Sequence, residues 1–175
     1  RTYRTSFADL DGNCLLVVCL FSNLGSQDVA NELTVLLSEG ITHIANVATG
    51  VPNHFPTKFV YLRLDVLDLP WTEIVQDFPT VHEFMKNCVD NGGKVLVHCN
   101  AGISRAATFV ISYLMAYHGM TFENALETVK KVRPKVRPNT GFIKQLKSFE
   151  ESLSAQKMTP STCDFSGLLG RDEET

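Results

Sequence analysis

Apolar residues run through this chain in two rhythms, short unbroken runs and longer stretches with a period near 3.6, and the two alternate. CLLVVCLF at 14–21 reads as a buried strand. In LGSQDVANELTVLLSEG, polar starters at Ser26 and Asp28 precede Val29, Leu33, Leu36 and Leu37 on one helical face, and Gly40 supplies a stop. ITHIANVA at 41–48, closed by Gly50 and Pro52, is a second strand. FVYLRLDVLD at 59–68 alternates Val60, Leu62, Leu64 and Val66, which predicts a third strand running into Pro70. Ile74, Val75, Phe78, Val81, Phe84, Met85 and Cys88 return to helical spacing, with Pro79 placed to start or kink that helix.

KVLVH at 94–98 is continuously apolar until its last residue, the signature of a strand covered on both faces of a parallel sheet. A strongly apolar helix follows from Ser104 to His118, ending at Gly119. A further helix comes after Thr121, and a last one starts at Asn139 with Phe142, Ile143, Leu146, Phe149 and Leu153 on one face. Strands alternating with helices predict an α/β fold: a central, mostly parallel sheet of about five strands flanked by helices. Beyond Leu153 the chain turns small and polar, so the pattern divides it into one domain over 1–153 and a flexible polar tail over 154–175.

Composition narrows what such a domain does. At 175 residues, 44% hydrophobic and 20% charged, the chain suits one soluble domain with its own core. A net charge of -3 argues against bulk nucleic-acid binding, so any basic site is local. No apolar run approaches the roughly 20 residues needed to cross a bilayer, and Asp9 and Asp11 before the first strand argue against a signal peptide. Cys14, Cys19, Cys88, Cys99 and Cys163 form no CxxC and no zinc spacing, and an odd, scattered set suits a reducing compartment. The cytoplasm is the expected location, with the nucleus as a second.

The chemistry concentrates in VLVHCNAGISRAAT at 95–108. Cys99 follows the buried strand directly, Gly102 lets the backbone turn tightly, and an apolar helix opens at about Ser104. In open α/β sheets ligands bind at such strand-to-helix junctions. The backbone N–H groups of Asn100, Ala101, Gly102, Ile103 and Ser104, with the helix N-terminus, predict an anion cradle. The same cradle favours the thiolate form of a cysteine nucleophile. Arg105 on the first helical turn is placed to grip two phosphate oxygens in a fork that lysine cannot copy.

An alkoxide or phenoxide leaving from phosphorus needs a proton, so the reaction calls for an acid on another loop. Asp68 and Asp65 are the candidates. Asp68 is preferred because it stands just before Leu69-Pro70, where a mobile loop brings it over the pocket; Asp65 is read as a solvent-facing strand-end residue. His98 is read as support for the loop, while His43, His54, His82 and His118 are read as structural or surface residues. Lys130, Lys131, Arg133, Lys135 and Arg137 offer a second anion site on a protein substrate, with internal pairing as the other reading of Arg133.

HCNAGISR at 98–105 is an HCxxGxxR sequence, and together with LGSQDVA, LDLP and RPKVRPNTGFIKQL it resembles the atypical dual-specificity protein phosphatases over roughly residues 24–153. The likeness is strongest to the small member that regulates stress-activated kinase pathways. It implies the dual-specificity phosphatase fold and a shallow pocket hydrolysing phosphotyrosine, phosphoserine and phosphothreonine in proteins. The route is a phosphocysteine on Cys99, with Asp68 as general acid and no cofactor or metal. The implied partner is a phosphorylated protein substrate, a kinase-pathway component being one candidate. Asn139 falls where the family buttresses its loop, a role compatible with capping the last helix. Ala106 departs from the serine or threonine found in many relatives, whose hydroxyl stabilises the departing thiolate. That departure keeps open an alternative, a weakly active domain acting mainly as a phosphoprotein-binding scaffold. A lipid or RNA phosphatase is disfavoured, since the loop supplies no extra charge. Whether Cys88 can protect an oxidised Cys99 as a disulfide turns on their separation.

Overall fold

The computed structural model describes residues 7–8, 14–18 and 29–158. Five strands form one sheet in the order β1-β2-β5-β3-β4: β1 (Phe7–Ala8), β2 (Cys14–Val18), β3 (His43–Asn46), β4 (Val60–Arg63) and β5 (Val95–His98). Only β1 runs antiparallel, against β2; the other three pairings are parallel. The helices are α1 (Leu33–Ser38), α2 (Phe78–Asp90, entered through a 3-10 turn at Val75–Asp77), α3 (Arg105–His118), α4 (Phe122–Val132) and α5 (Thr140–Met158).

β5 lies mid-sheet, and all four of its residues are buried, as its unbroken apolar run requires. Its side chains split by the strand period of two. Leu96 pairs with Ile44 in a small cluster with Leu36, Ile41 and Phe59, on the α1 side. Val95 and Val97 face the main core of Phe78, Met85, Phe109, Ile111, Phe142 and Leu146, drawn from α2, α3 and α5. The sheet is thus covered on both faces, as a parallel sheet must be.

Several expectations needed correction. Leu36 is 1% exposed but Leu37 is 57% exposed, because neighbours on a helix stand about 100° apart and only one can meet the sheet. The third strand is only Val60–Arg63, shorter than the alternation over 59–68 suggests, and Val60 is exposed. Among the described residues β4 is an edge strand paired only with β3, which is four residues long; after the Leu64 N–H bonds Asn46 O the chain leaves the sheet. Pro79 does start its helix as expected: it sits in the first turn of α2, where its missing N–H costs nothing. The last helix continues past Leu153 to Met158. Residues 19–28, where the first strand and first helix were expected to end and begin, and the tail from 159 onward lie outside the described residues.

Candidate active site

Cys99 is the first residue beyond the C-terminal end of β5, and only 1% of it is exposed. Gly102 adopts φ 64, the left-handed conformation that glycine takes at least cost, and Ser104 is the N-cap of α3. The turn aims the Gly102 N–H at the Cys99 sulfur, 3.3 Å away. Three carbonyls of the loop are held by partners outside it. Ala101 O accepts from Arg133 Nη2 at 2.8 Å, Ile103 O from the Arg137 N–H at 2.8 Å, and Ser104 O from the N–H and hydroxyl of Thr108. Among the described residues, no hydrogen bond takes the N–H groups of Asn100, Ala101, Ile103 or Ser104. With these three carbonyls tied away and four amides left open, the loop makes a cradle for an anion.

Arg105 is 8% exposed and already positioned by the protein. Nη1 donates to Val66 O at 2.9 Å and Nη2 to Asn100 Oδ1 at 2.7 Å. Nε, buried without a hydrogen bond, stands 3.7 Å from Asp68 Oδ2. A guanidinium has five N–H groups, so this arrangement leaves donors for a tetrahedral anion.

Asp68 is brought to the same place. Its Oδ1 accepts from Ser104 Oγ at 2.7 Å and from Asn139 Nδ2 at 2.9 Å. The Asn139 side chain also accepts the Phe142 N–H at 2.9 Å, capping α5, so one residue performs the capping and the bracing together. Asp65 is engaged elsewhere, on the surface, with Arg63 at 2.9 Å. The structure thus gathers Cys99, Arg105, Asp68, Asn100, Ser104 and Asn139, and separates Asp65 from them.

His98, 1% exposed, is held neutral. Burial pushes its imidazole down to about 4; interaction with the Cys99 backbone opposes the drop, and nearby His54 adds to it. Buried and neutral, it contributes shape rather than charge to the loop. Arg133, read as one of a basic run, is 5% exposed and turned inward to the loop. Gly141 and Gln145 of α5 touch the Asp68 loop and were not singled out in the sequence, where a glutamine on a helix reads as solvated. Cys88 cannot reach Cys99. Its sulfur lies 3.7 Å from Thr42 Oγ1, and Thr42 bonds Lys94 at the start of β5. The strand rise from Lys94 to Cys99 then puts roughly 16 Å between the two ends, against a Cα separation of about 7 Å that a disulfide tolerates.

A thiol, a cradle of open amides and a pre-placed arginine at the end of a central parallel strand define an α/β domain of the cysteine-dependent phosphatase class. Residues 23–152 match the family model described as "Dual specificity phosphatase, catalytic domain". The chain is 47% identical over 127 residues to Dual specificity protein phosphatase 19 of Mus musculus, covering 73% of this chain and 58% of that protein. It is 41% identical to Dual specificity protein phosphatase 1B of Arabidopsis thaliana, covering 74% of this chain and 78% of the relative. The crystal structure of the human tyrosine phosphatase-like serine/threonine/tyrosine-interacting protein is similar with a TM-score of 0.71 and 40% identity, covering 74% of this chain and 90% of that one. The chain belongs to the dual specificity phosphatase family.

Proposed function

We propose that this chain hydrolyses phosphotyrosine, phosphoserine and phosphothreonine in proteins through a phosphocysteine intermediate. The observation that carries this reading is the loop 99–105, where the Ala101, Ile103 and Ser104 carbonyls are tied away while the amides of Asn100, Ala101, Ile103 and Ser104 stay open beside a sulfur that already accepts the Gly102 N–H. Cys99 Sγ attacks phosphorus in line, forming the S–P bond as the ester P–O bond breaks, and Asp68 delivers its proton to the leaving oxygen. Water then attacks phosphorus, Asp68 takes its proton, and phosphate and the thiolate are released. Through both steps Arg105 and the open N–H groups hold the equatorial oxygens.

The test is hydrolysis of phosphopeptides by the wild type, Cys99→Ser and Asp68→Ala. Cys99→Ser should be inactive, and Asp68→Ala should lose about a hundredfold in kcat. Equal turnover by all three would end the enzymatic reading. A second reading, a weakly active domain that chiefly binds phosphoproteins, draws on buried Ala106, whose methyl offers no hydrogen bond beside the nucleophile. We place the substrates among phosphorylated components of stress-activated kinase pathways, in the cytoplasm and nucleus, on the likeness of the quoted motifs and the cysteine usage. Phosphopeptides from such kinases, compared with unrelated phosphopeptides, test that assignment.

A further inference from the structure

We infer that the first two turns of α5 position the general acid: Gly141 and Gln145 fasten the backbone of the Asp68 loop, so that Asp68 stands at the pocket before any substrate arrives. The inference rests on the catalytic reading of Cys99 and Asp68 given above.

After β4 the chain leaves the sheet and runs as an irregular segment to Ile74, with no ladder to hold it, meeting Ser104 and Arg105 through Asp68. Arg105 and Thr49 hold it at Val66 O, and from Pro70 onward it is fastened to α5. A Cβ built on Gly141 would stand 1.7 Å from the Pro70 carbonyl oxygen and 2.5 Å from its carbon. Only hydrogen fits there, so the loop backbone lies directly on the helix. One turn further along the same face, Gln145 engages the loop with both ends of its amide. Its Oε1 accepts from the N–H groups of Ile74 at 2.9 Å and Val75 at 3.3 Å, and its Nε2 donates to Thr72 O at 2.8 Å. Asn139, at the cap of the helix, completes the fastening on the Asp68 carboxylate itself.

These contacts bracket Asp68 from the far side of Pro70, while Arg105 holds Val66 O on the near side. Gln145 touches neither the sulfur nor the carboxylate, so it is a positioning residue. Losing it lets the segment from Pro70 to Val75 relax and carries the acid off its line to the leaving oxygen. Such a displacement has a specific kinetic signature. A serine alkoxide or a tyrosine phenoxide needs the proton, whereas a dinitrophenolate leaves without it.

The experiment compares kcat/KM, which reports the steps through phosphocysteine formation, for a phosphoseryl peptide and for dinitrophenyl phosphate. The proteins are the wild type, Gln145→Ala, Gln145→Glu and Gly141→Ala, with Asp68→Ala and Cys99→Ser as references. Gln145→Ala should lose about tenfold on the peptide and at most about twofold on dinitrophenyl phosphate, the same selective loss that Asp68→Ala shows in larger measure. Gln145→Glu keeps the acceptor for Ile74 and Val75 and should recover part of the peptide rate. It also carries the comparison if either of the other substitutions unfolds the protein. Equal losses on both substrates, or no loss on either, would overturn the inference. Peptide hydrolysis surviving in Cys99→Ser would instead overturn the catalytic reading beneath it.

Discussion

Ala106 shows how much one methyl group decides. It is 1% exposed on the first turn of α3 and packs in the same cluster as Cys99, yet it has no hydroxyl to offer a departing thiolate. The sulfur therefore has the Gly102 N–H as its hydrogen-bond donor, at 3.3 Å. Breakdown of phosphocysteine should then be slow, and rapid mixing with an aryl phosphate should show a burst of phenol followed by a slower steady rate. Ala106→Ser should raise that steady rate by about tenfold, the worth of one charge-assisted hydrogen bond. A missing burst, with no gain from serine, would place the limiting step elsewhere. Cys99 and Arg105 could be picked out from the sequence because glycine, cysteine and arginine stood in a register that the chemistry constrains. Arg133 could not, since KVRPKVRP looks the same whether its arginine faces water or, as here, sits 5% exposed against Ala101.

The elements follow the hydrophobic period wherever that period is long. α3 and β5 emerge with nearly the expected limits because burial on all sides leaves a continuous apolar run. β4 does not, because the length of an edge strand is set by its partner and not by its own alternation. Its early end is what frees the chain to carry Asp68 across to Ser104 and Asn139. The segment following α4 has a comparable task, since Arg133 caps that helix and reaches the phosphate loop while the Arg137 N–H holds Ile103 O. Arg133→Met removes the donor to Ala101 O and should raise KM for phosphopeptides about tenfold, with a smaller change in kcat. An unchanged KM would show that the loop keeps its shape without that link.

At the scale of the whole molecule the α/β class was readable from alternation, but the strand order β1-β2-β5-β3-β4 was not, because it depends on pairings between residues far apart in sequence. The interior also stores a dependence on pH. Burial pushes His82 and His98 from 6.5 to about 4, and His82 Nε2 lies 2.7 Å from Ser112 Oγ. A folded-state value below the unfolded one means that the unfolded chain binds more protons between the two. Stability is then fully present above about 6.5 and falls as the pH drops toward 4, by on the order of 3 kcal/mol for each ring. Urea midpoints should drop between about pH 7.5 and about pH 5, and His82→Asn should flatten that slope; a flat wild-type profile would contradict the burial of neutral imidazoles. The pre-arranged cradle has a consequence outside folding. Donors fixed before a ligand arrives suit free orthophosphate as well as a phosphorylated side chain, so the product of the proposed reaction should compete for the pocket. On the proposed reaction, turnover should slow as orthophosphate accumulates, with no dedicated inhibitor required.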